Sequence, residues 1–95
     1  MRTIWKYEVP PNTQNFRRVL PKGAKILTVL LQFDKAAFWA EVDPSEPDET
    51  RSFVIVGTGE LLPKWELQYV GTYQLENGTN IQHLFEVIST SESPS

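Results

Sequence analysis

The sequence contains no cysteine and only one histidine, His83, among its 95 residues. The absence of cysteine excludes a disulfide framework, a thiolate nucleophile and a zinc site with cysteine ligands. A single histidine cannot build a histidine-rich metal site, and no nucleophile elbow accompanies it. We therefore expect a non-enzymatic protein that uses no metal and no other cofactor.

Long apolar runs are also absent, because no segment approaches the roughly 20 residues that cross a bilayer. The first ten residues, MRTIWKYEVP, do not form a secretory signal, since Lys6 and Glu8 interrupt any apolar core. These absences predict a cytoplasmic protein that does not associate with membranes.

Positive charge is scarce in most of the chain, and the net charge is −3. This balance argues against direct nucleic-acid binding. Residues 1–35 nevertheless carry seven Lys or Arg and two Asp or Glu, whereas residues 36–95 carry two and ten. Such asymmetry predicts either a basic and an acidic face or charges that interleave once strands pair.

Helical spacing of apolar residues is missing throughout, and short alternating stretches predict strands instead. Asn77-Gly78 is the strongest turn signal, because a type I′ hairpin requires positive φ at both central positions. Asp34-Lys35 is predicted as a second two-residue turn. The predicted strands cover residues 3–9, 15–20, 25–33, 36–42, 50–56, 66–76 and 79–88.

Seven short strands joined by short turns predict an all-β fold, a single small antiparallel sandwich or barrel that is mostly a meander. The predicted domain covers residues 1–88. The tail 89–95 (STSESPS) has nothing to bury, so we expect it to be disordered. Alternation in residues 66–76 places four side chains on the core side: Leu67, Tyr69, Tyr73 and Leu75.

The stretch Gly57-Thr58-Gly59 follows an almost continuously apolar predicted strand and resembles a phosphate-binding loop. A dinucleotide fingerprint requires a third glycine and a helix, but Leu62 and Pro63 stand there instead. Two interpretations stay open. Backbone amides form an anion-binding nest, or a glycine supplies positive φ where the strand turns a corner.

Two tryptophans are candidates for a ligand platform or a subunit interface. Trp39 alternates with Phe38 and Ala40, which puts it on the outer face of its strand, where an interface or a covering loop such as 57–65 must shield it. Trp65 ends an irregular apolar segment that requires cover from the same molecule or from a second copy. These features predict a homo-oligomer.

Arg51 and Arg18 are the candidate contacts for an anionic ligand. The planar guanidinium of arginine suits phosphate or carboxylate groups. The alternative for Arg51 is an ion pair with an acid of the loop 43–49, and the alternative for Arg18 is exposure to solvent. His83 lies on an apolar face and is interpreted as a residue at the edge of the core.

Five segments occur in order along the chain: IWKYEVP (4–10), LPKGAKIL (20–27), FWAEVDPSEPDETRSFVIVGTG (38–59), YVGTYQLENG (69–78) and HLFE (83–86). This ordered pattern resembles a family of small uncharacterised proteins encoded by phages and prophages. The resemblance covers roughly residues 3–87.

One position departs from that family, where a histidine commonly follows the G-T-G segment and this chain has Glu60. The resemblance implies a viral accessory protein acting in the host cytoplasm, and it implies no chemistry. We therefore expect a binding protein that counteracts a host process, such as antiviral defence. It would sequester a small anionic, nucleotide-type ligand, or bind a host defence protein through an acidic surface at residues 41–49. The alternative is a structural or assembly component of the virion.

Overall fold

Seven β-strands form two antiparallel sheets in the computed structural model, which describes residues 1–91. The strands are β1 (Thr3–Glu8), β2 (Asn15–Pro21), β3 (Lys25–Gln32), β4 (Lys35–Val42), β5 (Asp48–Gly57), β6 (Glu66–Leu75) and β7 (Asn80–Ser89). Sheet A has the strand order β1-β4-β3, and sheet B has the order β2-β5-β7-β6. The predicted all-β sandwich of seven strands is confirmed.

The strand boundaries predicted from alternation agree with the structure to within two residues. β7 ends at Ser89, one residue beyond the predicted end of the domain. Of the predicted disordered tail, residues 92–95 lie outside the described residues.

The meander is confined to two hairpins, β3–β4 and β6–β7, because the other pairings in residues 1–91 join strands that are not consecutive. β5 and β6 are both antiparallel to β7, which lies between them, so they run in the same direction. The connection 58–65 must therefore return along the length of sheet B. It does so on the outer face, since sheet A covers the inner one.

A column of four aromatic rings crosses the core from one sheet to the other. Tyr7 stacks on Phe38 with ring centroids 5.2 Å apart, and Phe38 meets Phe53 of sheet B at 4.8 Å. Phe16 completes the column by stacking on Phe53 at 5.1 Å. Such ring pairs add to the stabilisation from apolar burial, so the column joins the two sheets.

Asn77 and Gly78 adopt the predicted positive φ, but Glu76 does so as well (φ 53°), and the β6–β7 connection spans residues 76–79 because the last ladder pair is Leu75–Asn80. Asn77 has φ 55° and ψ 34°, and Gly78 has φ 88°. The Thr79 N–H donates to the Glu76 carbonyl at 3.1 Å, which closes the turn. The predicted two-residue turn at Asp34-Lys35 is wrong by one residue, because Lys35 already belongs to β4.

The β3–β4 turn consists of Phe33 and Asp34, which have φ values of 53° and 63°. Lys35 already pairs with Gln32 in the ladder. This register places Phe38 opposite Val29 in the core. Core packing therefore sets the turn, although a bulky residue such as phenylalanine rarely adopts positive φ.

A β-bulge between Tyr69 and Gly71 reverses the facing of β6. Tyr73 and Leu75 face the core as predicted, whereas Tyr69 lies on the outer face, 54% exposed. At the bulge a Cβ on Gly71 would lie 2.7 Å from Cγ1 of Val29. Glycine is required there because β3 of sheet A approaches β6 closely.

Candidate functional site

A cavity of about 570 Å³ opens at one end of the sandwich. Its walls are the β1–β2 connection, the β3–β4 turn, the end of β5 and the adjoining ends of β6 and β7. A second cleft of about 600 Å³ shares Asp34, Tyr73 and Leu75 with it. Both volumes lie in the range of small-molecule sites.

The floor of this end cavity is formed by the core itself. Val9, Ile55 and Tyr73 line it and are each at least nine-tenths buried. Ala36 and Leu75, both half-buried, complete the apolar part. A ligand in the end cavity would therefore rest on the inner faces of both sheets.

Tyr73 gives this floor a polar group. Its side chain is 6% exposed, and burial raises the pKa of its hydroxyl to about 12. The hydroxyl makes no hydrogen bond within residues 1–91, and it is not among the polar atoms sealed from solvent. Because this hydroxyl has no partner within the described residues and still reaches solvent, it can donate to a molecule in the end cavity.

Amide side chains surround the apolar floor. Each of them offers both donors and acceptors. Gln82 donates to the Asn80 side chain, which fixes the orientation of that pair. Lys35 supplies positive charge, and Glu8, Asp34 and Glu60 supply negative charge. The amides of the lining are Asn12, Gln14, Asn80 and Gln82.

The Gly57-Thr58-Gly59 segment is a turn whose amides are largely engaged by the protein. The Gly57 N–H donates to the Glu60 carboxylate at 2.5 Å, and the Glu60 N–H donates to the Gly57 carbonyl at 3.0 Å. The Thr58 N–H donates to Ile81 at 3.2 Å. The chain's own carboxylate thus occupies the position that an anion would take in a nest.

Gly59 is required by the backbone of this turn, whereas a side chain at Gly57 would displace the Glu60 carboxylate. Gly59 has φ 91°, which disfavours any side chain. A Cβ on Gly57 would lie 2.9 Å from Oε1 of Glu60. The structure therefore favours the corner interpretation, and only Glu60 of this turn lines the end cavity.

Arg51 forms a bidentate ion pair with Glu86. Its Nε and Nη2 donate to the carboxylate at 2.5 and 2.7 Å, and Nη1 donates to the Ala24 carbonyl at 2.5 Å. Hydrogen bonding to Glu86 raises the pKa of Arg51. The loop acid Glu49 lies farther away, at 3.9 Å. An acid does pair with Arg51, but the principal one comes from β7.

Arg18 is likewise engaged in holding the fold together. Its Nε and Nη2 donate to the Glu8 carbonyl at 3.1 and 2.8 Å, and Nη1 donates to Arg17 at 2.8 Å. The guanidinium also lies 5.1 Å from the centre of the Phe16 ring. Arg18 and Arg51 are cross-strand neighbours, yet neither lines the end cavity.

The two candidate tryptophans lie on different sheets. Trp39 is half-buried on the outer face of sheet A, between Lys6 and Thr28 of the neighbouring strands. Trp65, also half-buried, immediately precedes β6 of sheet B. The connection 58–65 crosses the other sheet, so it cannot cover Trp39 as one of the sequence interpretations supposed.

His83 lies on the outer face of sheet B in a chain of hydroxyl groups. Its Nε2 is 2.8 Å from the Thr58 hydroxyl and its Nδ1 is 2.9 Å from that of Thr72. Thr72 in turn contacts the Tyr69 hydroxyl at 2.5 Å. Both ring nitrogens are satisfied, which fixes the histidine as a surface bridge between β5, β6 and β7.

The described residues contain no group of three or more acidic or histidine side chains placed to hold a metal ion. No helix within residues 1–91 has the length and apolar character needed to cross a bilayer.

Sequence reasoning missed the main features of the end cavity. The sequence places Tyr73 on the core side, which is correct, but it indicates neither the unpaired hydroxyl nor the amides of the lining. The only available signal was that these polar groups stand where predicted strands begin or end. Which ends meet depends on the strand order, and alternation does not reveal that order.

Comparisons with known proteins identify the family to which the chain belongs. No curated protein and no solved structure matches the chain. The model of a domain of unknown function, DUF7352, matches residues 1–95, and the chain therefore belongs to that family.

Proposed function

We propose that this chain is a non-enzymatic binding protein and that the end cavity holds its ligand. The observation that carries the proposal is Tyr73, a buried side chain that lines a cavity of about 570 Å³ and whose hydroxyl lacks a partner within residues 1–91. An apolar pocket with a few convergent polar groups is the usual form of a small-molecule site.

The lining favours a ligand recognised mainly through neutral hydrogen bonds. Four amide side chains and Tyr73 suit the edges of a nucleobase or a similar heterocycle. Lys35 is the only basic side chain of the lining, so it is our candidate for contacting an anionic group. Arg18 and Arg51 would have to break their present bonds to reach a phosphate. The nucleotide version of the proposal therefore rests on the amides and Lys35.

The biological setting of this proposal comes from the resemblance to phage and prophage proteins. We propose that the protein acts in the host cytoplasm and counteracts a host process, such as antiviral defence, by sequestering a nucleotide-type molecule. A role as a virion component is the alternative, and it predicts stoichiometric amounts of the protein in purified particles.

The acidic β4–β5 connection supports a second version, in which a host defence protein is the partner. Ser45 donates to the Asp43 carboxylate through its N–H at 3.0 Å and its hydroxyl at 2.6 Å. These bonds hold the pKa of Asp43 below its usual range. The ordered connection exposes Glu46 and Asp48 to solvent, which suits a basic partner surface.

Thermal unfolding with added adenosine, AMP and cyclic AMP tests the ligand version. Binding at 100 times Kd would stabilise the protein by about 2.7 kcal/mol. Tyr73→Phe should weaken that stabilisation, whereas Tyr69→Phe, the same change on the outer face, should not. Lys35→Ala should reduce the stabilisation by AMP and leave that by adenosine unchanged, because only AMP carries a phosphate for Lys35 to contact. No shift in melting temperature up to millimolar ligand would reject the nucleotide version.

Affinity purification from infected cells tests the second version. A host protein that binds the acidic connection should be retained by the unaltered chain and by Tyr73→Phe. It should be lost when Glu46 and Asp48 are both replaced by lysine. Equal retention by the lysine variant would exclude this surface.

A further inference from the structure

β1 is an edge strand without a bulge or a proline, although it carries the charged residues Lys6 and Glu8, and Arg18 covers its Glu8 carbonyl. Thr3–Glu8 pair with β4 along their whole length without a bulge, and all of them except Tyr7 are exposed. The other edge strands carry blocking features, since β3 and β6 are bulged and β2 ends in Pro21. Native proteins use bulges and prolines to block edges, so β1 is where a strand can be added.

Two hydrogen bonds show which backbone groups of β1 face outward. The Val9 N–H donates to the Ala36 carbonyl at 3.0 Å, so odd-numbered residues bond to β4. The Glu8 carbonyl instead accepts from Arg18, away from β4. Backbone groups alternate along an antiparallel pair, so the even-numbered residues face the open edge.

We propose that two copies of the chain pair antiparallel through β1, with Trp5 opposite the partner's Trp5. In this register Ile4 and the partner's Lys6 exchange both backbone hydrogen bonds. Arg2, whose Nη1 donates to Glu41 of its own chain at 2.6 Å, also lies opposite the partner's Glu8, and symmetry repeats that pair. The two copies of sheet A then form one sheet of six strands.

Charge selects this register over its neighbours. In the register centred on Ile4, one residue away, Arg2 lies opposite the partner's Lys6. In the register centred on Lys6, the two copies of Lys6 lie opposite each other. Like charges directly opposite each other destabilise a sheet, whereas opposite charges stabilise it. Of these three registers, only the Trp5-centred one avoids like-charge pairs and provides two attractive ones.

Trp5 contributes the apolar part of the interface. It pairs with the buried Ala40, which places it on the inner face, yet 43% of it remains exposed. Residues at such a non-hydrogen-bonded position lie about 4.5 Å apart between Cα atoms. Each indole would therefore cover the exposed surface of the other, as tryptophans commonly do at interface centres.

A charge exchange tests the pairing by sedimentation equilibrium of the full chain. Arg2→Glu and Glu8→Arg should each weaken dimerisation about tenfold or more, because each creates two like-charge pairs. The double variant should restore the dimer. A monomer at all concentrations, or a double variant no better than the singles, would overturn the proposal.

A backbone test complements it. Lys6→Pro removes an N–H that faces the open edge and leaves the bonds to β4 intact, so it should abolish the dimer while the melting transition persists. Lys6→Ala keeps that N–H and should still dimerise. In hydrogen exchange, the amides of Ile4 and Lys6 should become protected as concentration rises, whereas that of Tyr7 stays protected throughout. Concentration-independent exchange at Ile4 and Lys6 would refute the pairing.

Discussion

Arg51 and Glu86 join the two central strands of sheet B through a bidentate ion pair near the end of the sandwich opposite the cavity. Their side chains are 17% and 8% exposed. The remaining Arg51 nitrogen donates to Ala24, just before β3 of sheet A. The pair thus satisfies two charges inside the space between the sheets and links those sheets.

Removal of one side chain of the Arg51–Glu86 pair should strongly lower the free energy of unfolding. Arg51→Ala leaves a buried carboxylate without a partner, and such changes cost about 3–5 kcal/mol. Urea unfolding measures the loss. As a control, Arg2→Ala breaks an exposed pair with Glu41 and should cost less than about 1 kcal/mol.

Replacement of both Arg51 and Glu86 by apolar residues should lower the free energy of unfolding much less than Arg51→Ala does. Arg51→Met with Glu86→Leu removes both charges and retains apolar volume, and such exchanges are often neutral. If the double variant were as unstable as Arg51→Ala, the loss of stability would come mainly from the broken bond to the Ala24 carbonyl and not from an unpaired charge.

Gly57 and Glu60 should show coupled effects on stability. Gly57→Ala places a Cβ 2.9 Å from the Glu60 carboxylate, so it should displace that group and break its hydrogen bond, at a cost of about 1–3 kcal/mol. In a Glu60→Ala background the same glycine change should cost clearly less. Additive losses in chemical unfolding would show that the two residues act independently.

Tyr7 carries a buried hydroxyl with no hydrogen-bond partner within residues 1–91. Burial, assisted by the nearby Asp48 charge, raises the pKa of this hydroxyl. Tyr7→Phe keeps the ring stacked on Phe38 and removes the unsatisfied group, so the free energy of unfolding should rise by about 1 kcal/mol. A destabilised variant would reveal a partner, such as a bound water, that the hydroxyl requires.

Tyr73 should make stability depend on alkaline pH. Burial raises the pKa of its hydroxyl to about 12 in the folded protein, above the ordinary value of 10.0. Above pH 10 the unfolded tyrosine loses its proton while the folded one keeps it. The contribution is therefore fully present below pH 10 and is lost as pH rises to 12. Stability should fall more steeply over this range than in Tyr73→Phe, by an amount on the order of 2 kcal/mol. Parallel pH profiles of the two proteins would place the Tyr73 hydroxyl in water.

Local chemistry predicted the strands and one hairpin because alternation and Asn77-Gly78 act over a few residues. The bulge at Gly71 escaped prediction, since it depends on Val29 of the other sheet. The partner of Arg51 also escaped, because Glu86 lies 35 residues away. Arg18 and Arg51 are cross-strand neighbours, but the other candidate site residues lie apart from them, because strand order and not spacing decides which groups meet.

The position of β7 has a consequence for how the chain reaches its fold. The last strand of the described chain is an interior one, between β5 and β6. Until it emerges from the ribosome, β6 has no neighbour in its sheet and Leu84, fully buried in the finished core, is missing. Sheet B is completed by insertion and not by growth at an edge. A nascent chain that stops before residue 80 should therefore remain open to chaperones and proteases, however complete its amino-terminal strands are.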